Sequence, residues 1–461
     1  MADQTHVSEI LSDGSDRDES ASAPSAESAK VADYDVAVVG ASLAGCTAAI
    51  MLARSGARVA LVEKSPDPRS FKRICTHYIQ SSGVRPLERM GLIEPMMQAG
   101  AVRARACAWT RWGWVEPAAD SKSPTGINLR RERLDPLIRE AAAETPGVDL
   151  VLGHTVHELL YDGEQVSGCK AGDPHGHTLE LRTRLVVGAD GRGSRVAKLA
   201  RVATKTSPHG RFAYGAYFEG PHYARHPNSS LWLLDPDMVG AFPTDSGLTF
   251  YAVMPAMKHL PQFRDDPVAA LKSFVAAVPD APPIARSRLV GEITGKIDMT
   301  NVINTPTAPG LALVGDAASA VDPLWGVGCG FALQSSEWLA DSVAPALSGR
   351  EPLEQGLRRY RRRHARGLKG HTREILDYAT GRKINAGEKL FFSAASYDER
   401  TAKVFEAFGS RNIGPGRMLA TGIPLAALAS ARRSVSRRGA SPSHPARVAA
   451  SSGGEASEGM G

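Results

Sequence analysis

Apolar residues along the chain fall into two kinds of pattern. The first is the short unbroken run: Val36 to Val39, Arg58 to Val62, the LVV ahead of Gly188, and Leu311 to Val314. Each closes on a glycine or an acid, at Gly40, Glu63, Gly188 and Gly315-Asp316. Runs of this length and closure suit parallel strands buried on both faces. Between them, Leu43, Cys46, Thr47 and Ile50 recur at helical spacing, as do Leu134, Leu137 and Ile138, and later Ala332, Leu333, Ser336 and Leu339. The second pattern is alternation. Residues 149–188 alternate in short strands broken by DGEQ and GDPHG, and about 203–300 alternate around Tyr214, Tyr217, Trp232 and Phe250. That predicts an antiparallel sheet with one aromatic face, inserted into a parallel α/β domain. The segment 101–117 also reads as strand and holds Trp109, Trp112 and Trp114, as half-buried sheet or as a ring-lined wall for an apolar substrate.

The stretch Asp35 to Glu63, DVAVVGASLAGCTAAIMLARSGARVALVE, is strand, tight turn, helix, turn and strand. Gly40 permits the turn, Gly45 lets the helix pack close, and Ser42 stands where backbone approaches phosphate. The free N–H groups of the helix start receive a pyrophosphate. Glu63, 23 positions after Gly40, is placed for a ribose hydroxyl without a 2′-phosphate, so FAD or NAD fits better than NADP. A second glycine-rich loop, DPLWGVGCG (322–330), opens another helix and aims its N-terminus at an electron-rich group. The stretch CTHYIQSSGVRPLERMGL predicts a short helix ending at Gly91, with His77 just upstream. His77 is open to two readings, a proton shuttle or substrate contact in the site, and a structural histidine.

Composition narrows the classes. The net charge of +6 is modest, and the basic runs at 358–366 and after Ala431 lack interleaved aromatics or a nucleic-acid motif, which excludes a nucleic-acid partner. Five scattered cysteines without CxxC argue for a reducing compartment and against a disulfide framework or a metal site. There is no basic-then-apolar leader and no run of about 18 apolar residues, so a soluble, cytoplasmic chain without a transmembrane segment is expected, as monomer or homodimer.

Three pieces stand at the ends of buried strands: GASLAG with Glu63, GADGRGSR (188–195), and LVGDAA with DPLWGVG. Together, over about residues 33–345, they resemble the class A FAD-dependent monooxygenases, the p-hydroxybenzoate hydroxylase-like group, whose wider relatives are the geranylgeranyl reductases and flavin halogenases. The resemblance implies a discontinuous Rossmann-like FAD-binding domain (33–108, 128–202 and 303–345), an antiparallel β-sheet substrate domain (109–127 and 203–302) and a helical C-terminal region (346–432). Residues 1–31 and 433–461 are expected to be disordered tails. It further implies FAD as cofactor, NAD(P)H as co-substrate, and O2 with a small molecule as substrates. The cofactor-binding set is Gly40, Ser42, Leu43, Ala44 and Gly45 at the pyrophosphate, Glu63 and Lys64 at the adenosine ribose, and Arg131 along the phosphates. Asp190 and Gly191 form the DG motif, Gly315 and Asp316 take the ribitol or pyrophosphate end, and Pro323, Gly326 and Gly328 lie along the isoalloxazine. Ala197 and Lys198 stand where the DG motif otherwise closes with an arginine, which leaves NADH and NADPH both open. His77 and Tyr214 are the candidates for acid/base help, and Trp109, Trp112, Trp114, Tyr214, Tyr217, Trp232 and Phe242 for a dry pocket. WGWVEP (112–117) is similar to a halogenase signature but lies too early in the chain, without a suitable lysine, Lys72 being earlier still. The activity expected is hydroxylation or epoxidation of an aromatic, polycyclic or polyene metabolite, the alternatives being a prenyl reductase and a halogenase.

Overall fold

The computed structural model describes residues 30–117 and 124–439. The strand Lys30–Val39 is the centre of an eight-stranded sheet. It pairs in parallel with Thr178–Gly188 on one side and Val59–Glu63 on the other. Val148–Leu152 extends the sheet beyond Val59–Glu63, and Leu311–Leu313 extends it beyond Thr178–Gly188. The register puts Val39 opposite both Val62 and Gly188, and Gly188 opposite Leu313. All the motif-bearing turns therefore leave the sheet along one edge. Val36, Val38, Val59, Leu61, Leu185 and Val187 are buried, and each such side chain contributes about 1.5–3 kcal/mol of transfer free energy.

Helix Leu43–Arg54 covers one face, and helix Gly328–Leu347 packs on it through small residues: Ser336 Oγ donates to the Ala44 carbonyl at 2.8 Å. Helix Leu353–Ala379 follows, and Tyr360 Oη donates to the Leu313 carbonyl at 2.7 Å, which pins that helix to the parallel sheet. Helices Ala386–Ala395, Glu399–Gly409 and Pro415–Gly439 complete the C-terminal region. No helix among the described residues is long and apolar enough to cross a membrane.

The second sheet has seven strands in the spatial order 288–296, 213–219, 249–254, 238–243, 229–233, 106–110, 113–115. All its pairs are antiparallel except Ser229–Leu233 with Ala106–Thr110, which run parallel. The boundary drawn between 108 and 109 thus falls inside a strand. Gly126–Asn128 joins a separate three-stranded sheet with Tyr78–Ile79 and Val102–Ala104. At the ends of the chain two more expectations are corrected. Lys30 and Val31 are not tail but strand, held opposite Leu179 and Glu180. The last helix runs past 433 to Gly439, with Arg433 lying over the Tyr397 ring at 4.1 Å. The expected disorder of residues 1–29 and 440–461 lies outside the described residues.

Alternation in the second sheet divides its aromatics between two faces. Trp109, Trp114, Tyr214 and Trp232 pack with Phe263 and helix Pro267–Ala276. Tyr217 and Phe242 pack with Tyr78 and Phe250 on the face turned toward residues 77–78. Trp112 belongs to a third group with Tyr378 and Phe391 in the C-terminal helices. The seven rings expected to wall one pocket therefore do not form one. Trp114 is occupied structurally: Arg225 lies 3.5 Å over its ring and its Nε1 donates to Asp280 at 2.7 Å.

Candidate active site

The first turn at the sheet edge is shaped by contact. Gly40 has φ 103°, and a Cβ there would meet the Ala189 carbonyl oxygen at 2.6 Å. A Cβ on Gly45 would overlap the Gly40 carbonyl oxygen. Only glycines let the strand turn and the helix start this close. Ser42 is the N-cap of helix Leu43–Arg54 but makes no capping bond, because its hydroxyl accepts from Arg131 Nη2 at 2.7 Å. The helix start is left without a side-chain cap, as an anion-receiving N-terminus requires. Glu63 accepts from the Ala41 N–H at 2.8 Å with one oxygen and from the Ser65 N–H at 3.0 Å with the other, so its carboxylate is locked over the turn. Lys64 beside it is exposed. Leu43 and Ala44 are buried.

Arg131 begins helix Arg131–Ala143 and is itself buried. Its guanidinium pairs with Asp135 at 2.7 Å, one turn on. That leaves it rigid, with Ser42 on one side and Cys75 Sγ 3.8 Å away on the other. Asp316 accepts from Lys72 Nζ at 2.9 Å. Burial opposes ionisation of Asp316, but Lys72, with Arg192 and Arg131, outweighs it and holds the carboxyl below its ordinary value. Gly315, at φ 58°, donates its N–H to Ser335 Oγ at 2.9 Å and lies against Ala44. Asp316 also faces the start of helix Gly328–Leu347, since a Cβ on Gly328 would sit 4.0 Å from Asp316 Oδ1. Pro323 opens the turn Pro323–Trp325, and Gly326, at φ 62°, closes it with an N–H donated to the Pro323 carbonyl at 2.8 Å.

Asp190 is held within its own motif. Its carboxylate accepts from Ser194 Oγ at 2.5 Å and from the N–H groups of Arg195 and Val196 at 2.6 and 3.0 Å. Three donors fix it as the brace of helix Arg195–Leu199, with Gly191 at φ 79° making the bend. Arg192, in the same motif, donates to the Thr300 and Val321 carbonyls at 2.5 and 3.0 Å, tying the motif to the strand beside the second glycine loop.

His77 is buried and has φ 62°. Its Nδ1 accepts the Arg131 N–H at 3.1 Å, so Nε2 carries the ring proton and donates to Tyr217 Oη at 2.6 Å. Burial, with Arg131 adding to it against Cys75, lowers the imidazole to about 4. With both nitrogens engaged, the neutral ring joins Tyr217 to the start of helix Arg131–Ala143, which favours a positioning role for His77 over the proton shuttle. Tyr214 is corrected more sharply. It stacks on Phe263 at 5.2 Å in the outer aromatic cluster, and the tyrosine that meets His77 is Tyr217, three residues on along the strand. Burial raises the Tyr217 phenol, which keeps it protonated.

Several residues were not singled out in advance. Asp322 accepts from His209 Nε2 at 2.7 Å and Arg211 Nη2 at 2.8 Å, all three side chains buried. This cluster anchors the residue before Pro323 to the second sheet. Cys75 and Cys329 have sulfurs 3.7 Å apart across 254 positions of chain. The hydrogen bond from Cys329, with Arg131 nearby, holds the Cys75 thiol well below its ordinary range against the effect of burial. Beside the loop lies a cavity of about 150 Å³ whose wall includes Trp325 and Val327.

The FAD binding domain family matches residues 33–372. The chain belongs to this family. It is an FAD-binding flavoprotein. The flavoprotein is 25% identical over 345 residues to digeranylgeranylglycerophospholipid reductase 1 of Methanococcoides burtonii, spanning 72% of this chain and 79% of that one. It is 28% identical over 321 residues to kynurenine 3-monooxygenase of Salinispora arenicola, spanning 65% and 70%. In structure it is similar to the myxobacterial chondrochloren halogenase CndH, with a TM-score of 0.67 at 23% identity over 84% of this chain and 98% of the other, a likeness of fold. The uncapped start of Leu43–Arg54, the cations Arg131 and Lys72, and the start of Gly328–Leu347 beside Asp316 suit the diphosphate and ring of FAD in this flavoprotein.

Proposed function

We propose that this flavoprotein is a single-component monooxygenase that uses NAD(P)H and O2 to hydroxylate or epoxidise an aromatic, polycyclic or polyene small molecule of secondary metabolism. Bound FAD supplies the hydride acceptance and oxygen activation. The chain's own residues do the rest. Gly40 to Gly45 with Arg131 hold the diphosphate at a helix N-terminus, Glu63 takes the adenosine ribose, and Asp316, charged and paired with Lys72, takes the ribitol end. Pro323 to Gly328 would hold the ring, and the first N–H groups of Gly328–Leu347 would stabilise negative charge on it. The Asp322, His209 and Arg211 cluster keeps that loop in place.

The observation that carries the reading is the largely apolar cavity bounded by Trp325 and Val327, beside the loop assigned to the ring. A dry pocket at that position is what oxygen transfer to a carbon substrate needs. The likeness to a prenyl-lipid reductase supports a second reading, in which the same pocket holds an alkene that is reduced without oxygen. A screen of aromatic and polyene metabolites for stimulated NAD(P)H consumption, with product mass measured, separates the two. A gain of one oxygen supports the first. A gain of two hydrogens, undiminished without air, favours the second, and consumption unaffected by any compound contradicts both.

A further inference from the structure

The cavity of about 150 Å³ is built largely from chain that lies beyond the family-matched segment, which ends at 372. Phe391, Phe392, Phe405, Phe408 and Met418 are part of its wall. An apolar cavity of this size accommodates about one benzene ring.

One charged group in that wall has no counter-ion among the described residues. Arg411 is in the turn after helix Glu399–Gly409, and only 9% of it is exposed. The turn is anchored by Asn412 Nδ2 donating to Ser81 Oγ at 3.0 Å, which directs the arginine inward. Its guanidinium lies 4.8 Å over the Phe331 ring and against Gly330. Nε donates to Gln80 Oε1 at 2.5 Å and Nη1 to Gln334 Oε1 at 2.8 Å, both neutral amides. Nη2, closed in against Gly330, has no acceptor among the described residues. Burial without a carboxylate pushes the guanidinium down to about 9. The other polar groups of the wall do not compensate it. His371 is held neutral by burial, which lowers it to about 4 with Arg411 adding to the effect. Glu388 is taken by Arg382 at 2.6 and 2.8 Å and by the Asn385 N–H at 2.7 Å. The Glu374 carboxyl is raised by burial and by its neighbours Asp377 and Glu388, so it belongs to that end of the cavity.

A buried cation without a partner is costly, and native interiors resolve such groups by pairing. We infer that the cavity binds a small hydrophobic acid, its ring among the phenylalanines and its carboxylate against the Arg411 guanidinium. Arg411 is then a specificity residue contributed by the C-terminal helices and not by the flavin-binding frame. That the acid is the substrate rests on the reading of the cavity as the substrate pocket. Its binding does not.

The test uses the FAD-loaded full chain without NAD(P)H, titrated calorimetrically with benzoate and, in parallel, with the neutral benzamide. The inference predicts benzoate at least about tenfold tighter, as one charge-assisted hydrogen bond gives. Arg411→Gln should abolish the preference while benzamide still binds, and Arg411→Lys should keep part of it. Ile423→Trp, which fills the cavity, should abolish both. Should Arg411→Gln lose its flavin or fold, the Lys and Trp variants decide: loss of preference in Arg411→Lys, or benzoate binding unchanged in Ile423→Trp, overturns the inference. So does equal or absent binding of the two rings to the wild type, or a benzoate preference intact in Arg411→Gln. Benzoate binding as predicted, with no acid of this class stimulating NAD(P)H consumption, leaves the anion site standing and counts against the oxygenase reading alone.

Discussion

The fixed, neutral state of His77 has a measurable cost in acid. His77, His364 and His371 are buried, and in each the imidazole is lowered to about 4 by burial. A depressed folded value means that the unfolded chain takes up protons which the folded chain refuses. The stability involved is complete above the ordinary histidine value of about 6.5 and is lost as pH falls from there toward 4. With those values, one such histidine lowers the unfolding free energy by about 2 kcal/mol between pH 8 and pH 5, and three independent ones by about 6 kcal/mol. The perturbation is His77→Asn, because asparagine tolerates the φ of 62° at this position and can accept the Arg131 N–H. Urea unfolding at a series of pH values, at constant FAD concentration, gives the slope. The variant should lose about 2 kcal/mol less than the wild type over that interval. Identical pH dependence of the two proteins would mean that His77 titrates alike in both states, and would remove the argument against a proton-relay role.

Replacing Asp316 by Ala leaves Lys72 half-exposed and unpaired, with little effect on stability, but should weaken FAD about tenfold or more in a flavin-fluorescence titration. Undiminished flavin retention would remove Asp316 from the site. Asp322→Asn strips the counter-charge from buried Arg211 and should cost about 3–5 kcal/mol in urea unfolding. A loss under about 1 kcal/mol would show that the cluster does not anchor the loop. Cys75, with its lowered thiol, should react with iodoacetamide before the other four cysteines, and bound FAD should slow it, as read by peptide mass spectrometry. Equal labelling of Cys75 and Cys169 would contradict the lowered value.

The parallel sheet and its three motif-bearing turns were legible because each strand is a short apolar run closed by a glycine or an acid, and because Gly40 and Gly45 have no substitute at their contacts. The second sheet was legible as alternation, but alternation has a phase. Tyr214 and Tyr217 both fit an aromatic strand, and only the pairing with Thr249–Met254 and the packing of helix Pro267–Ala276 show that Tyr217 meets His77. The same missing phase put rings from three clusters into one supposed pocket. Asp190 carried the motif, and its carboxylate also braces a helix start, a use that one-dimensional spacing does not reveal. What was least visible joins distant positions: Lys72 with Asp316, Cys75 with Cys329, Asp322 with Arg211. Arg411 lies in a helical tail with no motif, and its meaning depends on having no acid paired with it among the described residues, which spacing along the chain does not reveal.

The central claim, oxygen transfer to a carbon substrate in the cavity beside Trp325, is tested most directly by turnover of a stimulating compound under 18O2 with mass spectrometry of the product. One atom of 18O per product is the predicted result. A product without the label, carrying two added hydrogens or oxygen from water alone, would contradict it.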